Sequence, residues 1–315
     1  MTKIVVWGRF QGVADELPRV LTEDDVVVPK EDAQLALAGD AEVGVGTNQG
    51  DRVQLLLRAA PKLRWYHSIG AGVEDLVGIP ELRDRKMVLT NNSGPYDIPI
   101  AEHVLAMILA SAKRLHVYRD QQARAEWKSH PQAEVRDLTV VVFGIGSIGA
   151  EVAKLASGVG MRVIGVRRRQ GTVPGVSRIV APDQLADVAA EADYLVLAAP
   201  LTPQTRGAVS REVIARMKPT AWIVNIARGA MLDEDAVVDA LRAGRLGGAA
   251  LDALGIEPLP KEHPLWSLPN VIITPHSSNS SPRIRERSLA LFLENLRRYK
   301  AREPLLNLVD LDAGY

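Results

Sequence analysis

Short apolar runs separated by longer amphipathic stretches recur along this 315-residue chain, and that alternation constrains its fold more than any other feature. A run of four to six apolar residues suits a strand covered on both faces, and the interval after it holds a helix that brings the next strand alongside in parallel. In the first third the runs predict strands at 4–7, 26–28, 43–45, 64–69 and 87–90, a small doubly wound sheet. A second series follows at 139–143, 162–166, 194–198, 222–225, 249–251 and 271–274, the pattern of a six-stranded nucleotide-binding sheet. The expected class is α/β, with two doubly wound, Rossmann-like parallel-sheet domains, the N-terminal one flavodoxin-like.

Between the two series, apolar residues at Val104, Leu105, Ile108, Leu109 and Ala112 recur at three- and four-residue intervals and predict a helix over 100–115. A polar, charged stretch follows at 118–137. The amphipathic segment 283–299 lies after the last strand and is expected to lead the chain back onto the first sheet. The expected domains are therefore 1–98 with 282–315, and 99–281.

Lysine plus arginine equals aspartate plus glutamate, 38 against 38, so no overall field draws the protein to nucleic acid or to an anionic membrane. Attraction for anions must be local. The chain has no cysteine, which excludes disulfides, thiolate zinc sites and a cysteine nucleophile, and fits a reducing cytoplasmic setting; no metal site is expected. The first eight residues read as a strand rather than a secretion signal, so the mature protein is expected to begin there. The apolar run 104–110 falls well short of the roughly 18 residues of a membrane span. A soluble protein is the expectation.

Residues 138–143 run straight into Gly144-Ile-Gly146-Ser-Ile-Gly149 and then a helical 150–156. Gly144 permits a tight turn, Gly146 lets backbone approach a pyrophosphate, and Gly149 lets helix pack on strand, while N–H groups at the helix start face the phosphates. Three glycines alone are weak evidence. The strand before, the helix after and the next strand at 162–166 turn them into a dinucleotide site, with Ser147 and Ile148 in the same turn. An acid at the end of that next strand accepts from a ribose 2′-hydroxyl and repels a 2′-phosphate. Here the strand ends in Arg167-Arg168-Arg169, whose guanidinium forks suit a phosphate dianion. NADP(H) is favoured, with NAD(H) the alternative.

Ligands of an open α/β sheet sit beyond the carboxyl ends of its strands. Polar residues follow three successive strands there: Arg228 after 222–227, Asp252 and Glu257 after 249–251, and His276 after 271–275. The set fits carbonyl reduction. Hydride delivery to a 2-oxo acid places negative charge on the carbonyl oxygen, which calls for a proton donor and a cation. His276 is the candidate acid, Glu257 orients its imidazole and favours the protonated form, and Arg228 clamps the substrate. The histidines at 67, 103, 116, 130 and 263 lack such a setting and are expected to be structural or exposed.

Several stretches together resemble the D-isomer-specific 2-hydroxyacid dehydrogenase family over essentially the whole chain. They are Ser68-Ile-Gly-Ala-Gly-Val-Glu-Asp75, Ala101-Glu-His103, the glycine turn, Leu201-Thr-Pro-Gln-Thr-Arg-Gly207, Asn225-Ile-Ala-Arg-Gly-Ala-Met-Leu-Asp-Glu234, Ala250-Leu-Asp252 through Glu257-Pro-Leu-Pro260, and the run from Pro264 to His276. The resemblance implies a catalytic set of Arg228, Glu257 and His276, with Asp252 at the nicotinamide end of the cofactor. Further cofactor contacts are expected from Ala199, Pro200, Thr205, Ile226, Ala227 and Ser278. It implies that backbone amides near Ala71 and Gly72 hold the substrate carboxylate, together with Arg228 and His276, and that domain closure completes the site. It also implies a homodimer, with an interface role for 100–137.

Two departures stand out. The family often carries an aromatic and an acid between the aspartate and the glutamate, where this chain has Ala253-Leu-Gly-Ile256, which alters the packing around the site and bears on substrate preference. The chain ends at Tyr315 with no regulatory extension, which argues against the longer phosphoglycerate dehydrogenases. The expectation is an NADPH-using reductase of glyoxylate or hydroxypyruvate type, giving the D-2-hydroxy acid. The rivals are an NAD-dependent enzyme for a bulkier branched-chain or aromatic 2-oxo acid, and a dinucleotide-sensing regulator of the same fold, against which the intact Arg228, Glu257 and His276 count.

Overall fold

A computed structural model describes residues 1–8 and 13–315. The chain divides into two compact units, 1–96 with 281–315, and 97–280.

The first unit holds a five-stranded sheet of β1 (Lys3–Trp7), β2 (Asp25–Val27), β3 (Val43–Gly46), β4 (Trp65–Ser68) and β5 (Val88–Thr90). All pairings are parallel, in the order β2-β1-β3-β4-β5, the flavodoxin-like arrangement. The period-two alternation of strand side chains feeds two cores. Val5, Trp7, Tyr66 and Leu89 point into one, with Leu56, Leu57, Leu76 and Leu82. Ile4, Val6, Val43, Val45 and Trp65 point into the other. That second face is closed by the helix Ile284–Ala301, whose Phe292 and Leu296 are buried in it. Trp65 stacks on Phe292 and on Tyr299, with ring centroids 5.6 and 5.3 Å away. The amphipathic C-terminal segment thus does return to the first sheet.

The second unit contains a seven-stranded parallel sheet, one strand more than the apolar runs predict. Its members are β6 (Thr139–Phe143), β7 (Arg162–Val166), β8 (Arg178–Val180), β9 (Tyr194–Leu197), β10 (Trp222–Asn225), β11 (Gly248–Leu251) and β12 (Val271–Ile273), in the order β12-β11-β10-β9-β6-β7-β8. The extra strand, β8, is a three-residue edge strand that begins with an exposed arginine and has only Ile179 and Val180 as apolar members. The direction of winding reverses between β6 and β9, and the crevice outside their carboxyl ends is where ligands of such sheets lie.

The helix expected at 100–115 spans Asp97–Ala112 and packs against the helix Ser147–Gly158. It stops early because Arg114 adopts a left-handed conformation at φ 52°, after which a second helix, Leu115–Ala123, occupies the start of the polar stretch. Among the described residues no helix is long and apolar enough to cross a membrane.

Candidate active site

The glycine turn is built by close backbone approach. Gly144 has φ 102°, and a Cβ there would lie 2.4 Å from the amide nitrogen of Ala199. At Gly149 a Cβ would come within 1.9 Å of the Gly144 carbonyl oxygen, an overlap no rotamer relieves. Gly146 differs, since a Cβ there would meet nothing within 4 Å, so that side of the turn is open. Gly146 is also the N-cap of the helix Ser147–Gly158 and offers no side chain to its first-turn N–H groups. A tight turn, an open face and an uncapped helix start are what a pyrophosphate requires, so the residues present fit a dinucleotide.

At the end of β7 the Arg167 amide donates to the Val180 carbonyl, which ties the start of the arginine run to the edge strand. The Arg167 guanidinium is partly buried, and its Nε is a buried donor with no hydrogen-bond partner among the described residues. Arg168 and Arg169 are exposed. The Arg167 Nη2 donates to the Gln170 carbonyl at 3.4 Å, within its own loop.

Ala199, whose backbone crowds Gly144, is buried, and the loop after it is tied by Thr205, whose hydroxyl donates to the Pro200 carbonyl at 2.6 Å and accepts from the Thr202 amide at 2.8 Å. Ile226 and Ala227, just past β10, are buried. Asn225, which ends β10, is fully buried; its Nδ2 donates to the carbonyls of Arg228 and Ala253, each at 3.1 Å, and its Oδ1 accepts from the Ala227 amide. This asparagine fixes the turn that launches Arg228. A polar residue closing an otherwise apolar strand, Trp-Ile-Val-Asn, is the signal by which sequence reasoning could have singled it out.

The strand register puts the three candidate catalytic residues on one edge. Asn225 pairs with Leu251 and Leu251 with Ile273, so Arg228, Glu257 and His276 all emerge beyond the same carboxyl ends. His276 Nδ1 and Glu257 Oε2 are 2.8 Å apart, and Glu257 Oε1 accepts the Leu254 amide at 2.8 Å. The carboxylate therefore holds the imidazole with one oxygen and its own loop with the other. The structure brings this pair into contact. Arg228 lies partly buried nearby, and its Nη1 donates to the Ala227 carbonyl at 2.7 Å. Glu234 braces the same loop by accepting the Gly255 amide at 2.6 Å, and burial pushes its carboxyl up against that hydrogen bond.

Asp252 is buried, and its carboxylate gathers the chain around His276. Oδ1 accepts from the Thr274 hydroxyl at 2.5 Å and the Ser277 amide at 2.9 Å, and Oδ2 from the Ser278 amide at 3.0 Å. Burial pushes its carboxyl up, but hydrogen bonds from Ser278, Thr274 and the Ser277 amide outweigh it and leave the group below the usual carboxylate range. The Asp252 carbonyl accepts the His276 amide at 3.0 Å, and His276 sits at φ 49°, where a residue with a side chain is strained unless held. Ser278, also expected at the cofactor, is buried by this arrangement.

His103, expected to be structural or exposed, is partly buried, and its Nε2 lies 3.1 Å from the Thr274 hydroxyl and 3.9 Å from Asp252 Oδ1. Its partners are more than 140 positions away, which hides the relation from any local pattern. Ala71 and Gly72 follow β4 in the first unit, where the Ala71 carbonyl accepts from Asn91 Nδ2 at 2.9 Å.

Comparison with known proteins bears on the whole chain. Residues 105–278 match the family model of the D-isomer specific 2-hydroxyacid dehydrogenase, NAD binding domain. Glyoxylate/hydroxypyruvate reductase B of Pectobacterium carotovorum subsp. carotovorum is 32% identical over 91% of this chain and 92% of its own. Among solved structures, an NADPH-dependent glyoxylate/hydroxypyruvate reductase from Sinorhizobium meliloti, in complex with NADP and sulfate, superposes with a TM-score of 0.87 at 27% identity, covering all of both chains. A D-isomer specific 2-hydroxyacid dehydrogenase from Xanthobacter autotrophicus Py2, in complex with NADPH and MES, gives a TM-score of 0.87 at 28% identity over 100% of this chain and 99% of that one. The strand-end chemistry and the dinucleotide turn agree with that company, and the chain belongs to the D-isomer specific 2-hydroxyacid dehydrogenase family of NAD(P)-dependent oxidoreductases.

Proposed function

We propose that the chain reduces a small 2-oxo acid of glyoxylate or hydroxypyruvate type to the D-2-hydroxy acid with NADPH. The observation that carries the chemistry is the His276–Glu257 pair, held at 2.8 Å by Nδ1 on the edge shared with Arg228. With Nδ1 engaged, Nε2 is the atom left to deliver a proton. When bound, the nicotinamide supplies the hydride. His276 gives its proton to the carbonyl oxygen as negative charge develops there, Glu257 keeps the imidazole in register, and Arg228 balances the charge of the substrate. In the oxidative direction deprotonated His276 takes the hydroxyl proton back.

The preference for NADPH rests on Arg167 to Arg169 at the end of β7 and on the absence of an acid there. Relatives named as glyoxylate reductases or glyoxylate/hydroxypyruvate reductases support the small substrate. Initial rates with NADPH and NADH across a panel of 2-oxo acids test both halves. Higher kcat/KM with NADPH and with glyoxylate or hydroxypyruvate is expected; a clear preference for NADH, or for branched or aromatic acids, overturns the corresponding half. We also place a homodimer contact on the segment 100–137, where Leu115 and Trp127 are exposed apolar side chains. Light scattering on the purified protein checks it, and a monomer at micromolar concentration rejects it.

A further inference from the structure

An ionised carboxylate only accepts hydrogen bonds, so the Thr274 hydroxyl spends its single proton on Asp252 Oδ1, 2.5 Å away. The Thr274 oxygen is then an acceptor toward His103, whose Nε2 lies 3.1 Å from it and must be the nitrogen carrying hydrogen. This assigns direction to a chain of hydrogen bonds running from the helix Asp97–Ala112 through the end of β12 to the buried end of β11. The chain ends at the group that clamps His276 on both sides, since Asp252 accepts the His276 amide with its carbonyl and the next two amides with its carboxylate.

We propose that His103 is a positioning residue for the catalytic proton donor, acting on His276 through Thr274 and Asp252. The inference rests on the reading of His276 as that donor. His103 orients the Thr274 hydroxyl; the hydroxyl fixes the rotation of the Asp252 carboxylate; the carboxylate fixes the left-handed turn at His276 against its backbone strain. Loss of the His103 donor leaves the Thr274 oxygen without its second partner, so the hydroxyl is no longer held in one rotamer and its grip on the Asp252 carboxylate loosens. The imidazole of His276 then samples positions away from the carbonyl oxygen. Displacements on the order of 1 Å at a reacting group cost up to about a hundredfold in rate.

The test compares His103→Ala, His103→Gln and Thr274→Val, with His276→Ala as reference, by steady-state kinetics with glyoxylate or hydroxypyruvate. His103→Ala should lower kcat about 10- to 100-fold with a much smaller change in KM. His103→Gln, whose amide N–H can stand near the place of Nε2, should recover kcat to within about threefold. Imidazole nitrogen NMR shifts of His276 in the cofactor-free protein should move in His103→Ala and return in His103→Gln. Because His103 acts through Thr274, the double variant His103→Ala/Thr274→Val should lose no more than the worse single variant. An unchanged kcat in His103→Ala, no recovery in His103→Gln, or additive losses overturn the inference. If His103→Ala does not fold, Thr274→Val cuts the same link from the strand side, and an unchanged kcat there overturns it equally. Full turnover in His276→Ala removes the donor and the inference together, whereas a loss in His276→Ala beside an unaffected His103→Ala overturns the inference alone.

Discussion

Glu257 grips His276 with one carboxylate oxygen and its own loop with the other, accepting the Leu254 amide at 2.8 Å while Oε2 meets the imidazole Nδ1 at the same distance. The pair is solvent-exposed, but the second carboxylate oxygen makes it a jointed brace. His276→Ala should lower kcat by roughly two to four orders of magnitude, the usual range for a lost general acid, with dinucleotide binding intact. Glu257→Gln keeps the shape and, at one oxygen, the acceptor for Leu254, so a smaller loss of kcat is expected with little change in cofactor affinity. Equal turnover in wild type and His276→Ala removes the histidine from the reaction.

The arginine run after β7 makes a separate prediction about cofactor choice. Arg167 reaches from a partly buried position, with a buried Nε that nothing among the described residues satisfies. Hydrogen bonds to a charged group contribute about 1.5–3 kcal/mol, on the order of 10- to 150-fold in affinity. Arg167→Asp should therefore raise the dissociation constant for NADPH by about that factor and change NADH far less, read by fluorescence titration. Equal effects on the two dinucleotides would exclude a contact with the 2′-phosphate.

The parts of this molecule legible in sequence are those whose cause is local. The glycine turn declares itself because Gly144, Gly146 and Gly149 fall within six residues, and the strands β6 and β7 beside it are mostly apolar. Glu257 and His276 could be picked out because each follows a strand end, although their contact spans nineteen positions. His103 could not, since its meaning comes from Thr274 across 171 positions and from a helix whose apolar periodicity says nothing of its polar side. The strand β8 escaped for a different reason: an edge strand of three residues needs little apolar character to pair.

Two glycines of the turn, Gly149 and Gly146, make opposite predictions when given the same methyl group. At Gly149 the added Cβ would strike a backbone carbonyl 1.9 Å away, so Gly149→Ala should disrupt the strand-to-helix junction and lower the melting temperature. At Gly146 the methyl meets no protein atom within 4 Å, so Gly146→Ala should melt with the wild type yet bind dinucleotide more weakly, because the methyl occupies the face the pyrophosphate needs. Thermal melts paired with titration of NADPH separate the two. Undiminished binding by a stable Gly146→Ala would show that the open face is not the phosphate site.

His67 tests the energetics of the first unit away from any chemistry. It is fully buried on β4; its Nδ1 pairs with the Thr90 hydroxyl at 2.8 Å, while Trp65 Nε1 donates to the same oxygen at 2.8 Å. Trp65 can only donate, so the Thr90 oxygen accepts from it while also meeting the His67 ring. Burial pushes its pKa down to about 3 from the ordinary 6.5, against a smaller opposing effect of Asn92. Between those values the unfolded chain binds a proton that the folded chain refuses, so stability falls as the pH is lowered, by up to about 1.4 kcal/mol per pH unit from this group. Urea unfolding from pH 7 to pH 4 should therefore show a steeper acid loss in wild type than in His67→Gln, which carries no titrating group. Parallel curves would mean that the imidazole is already protonated, or already hydrated, in the folded unit.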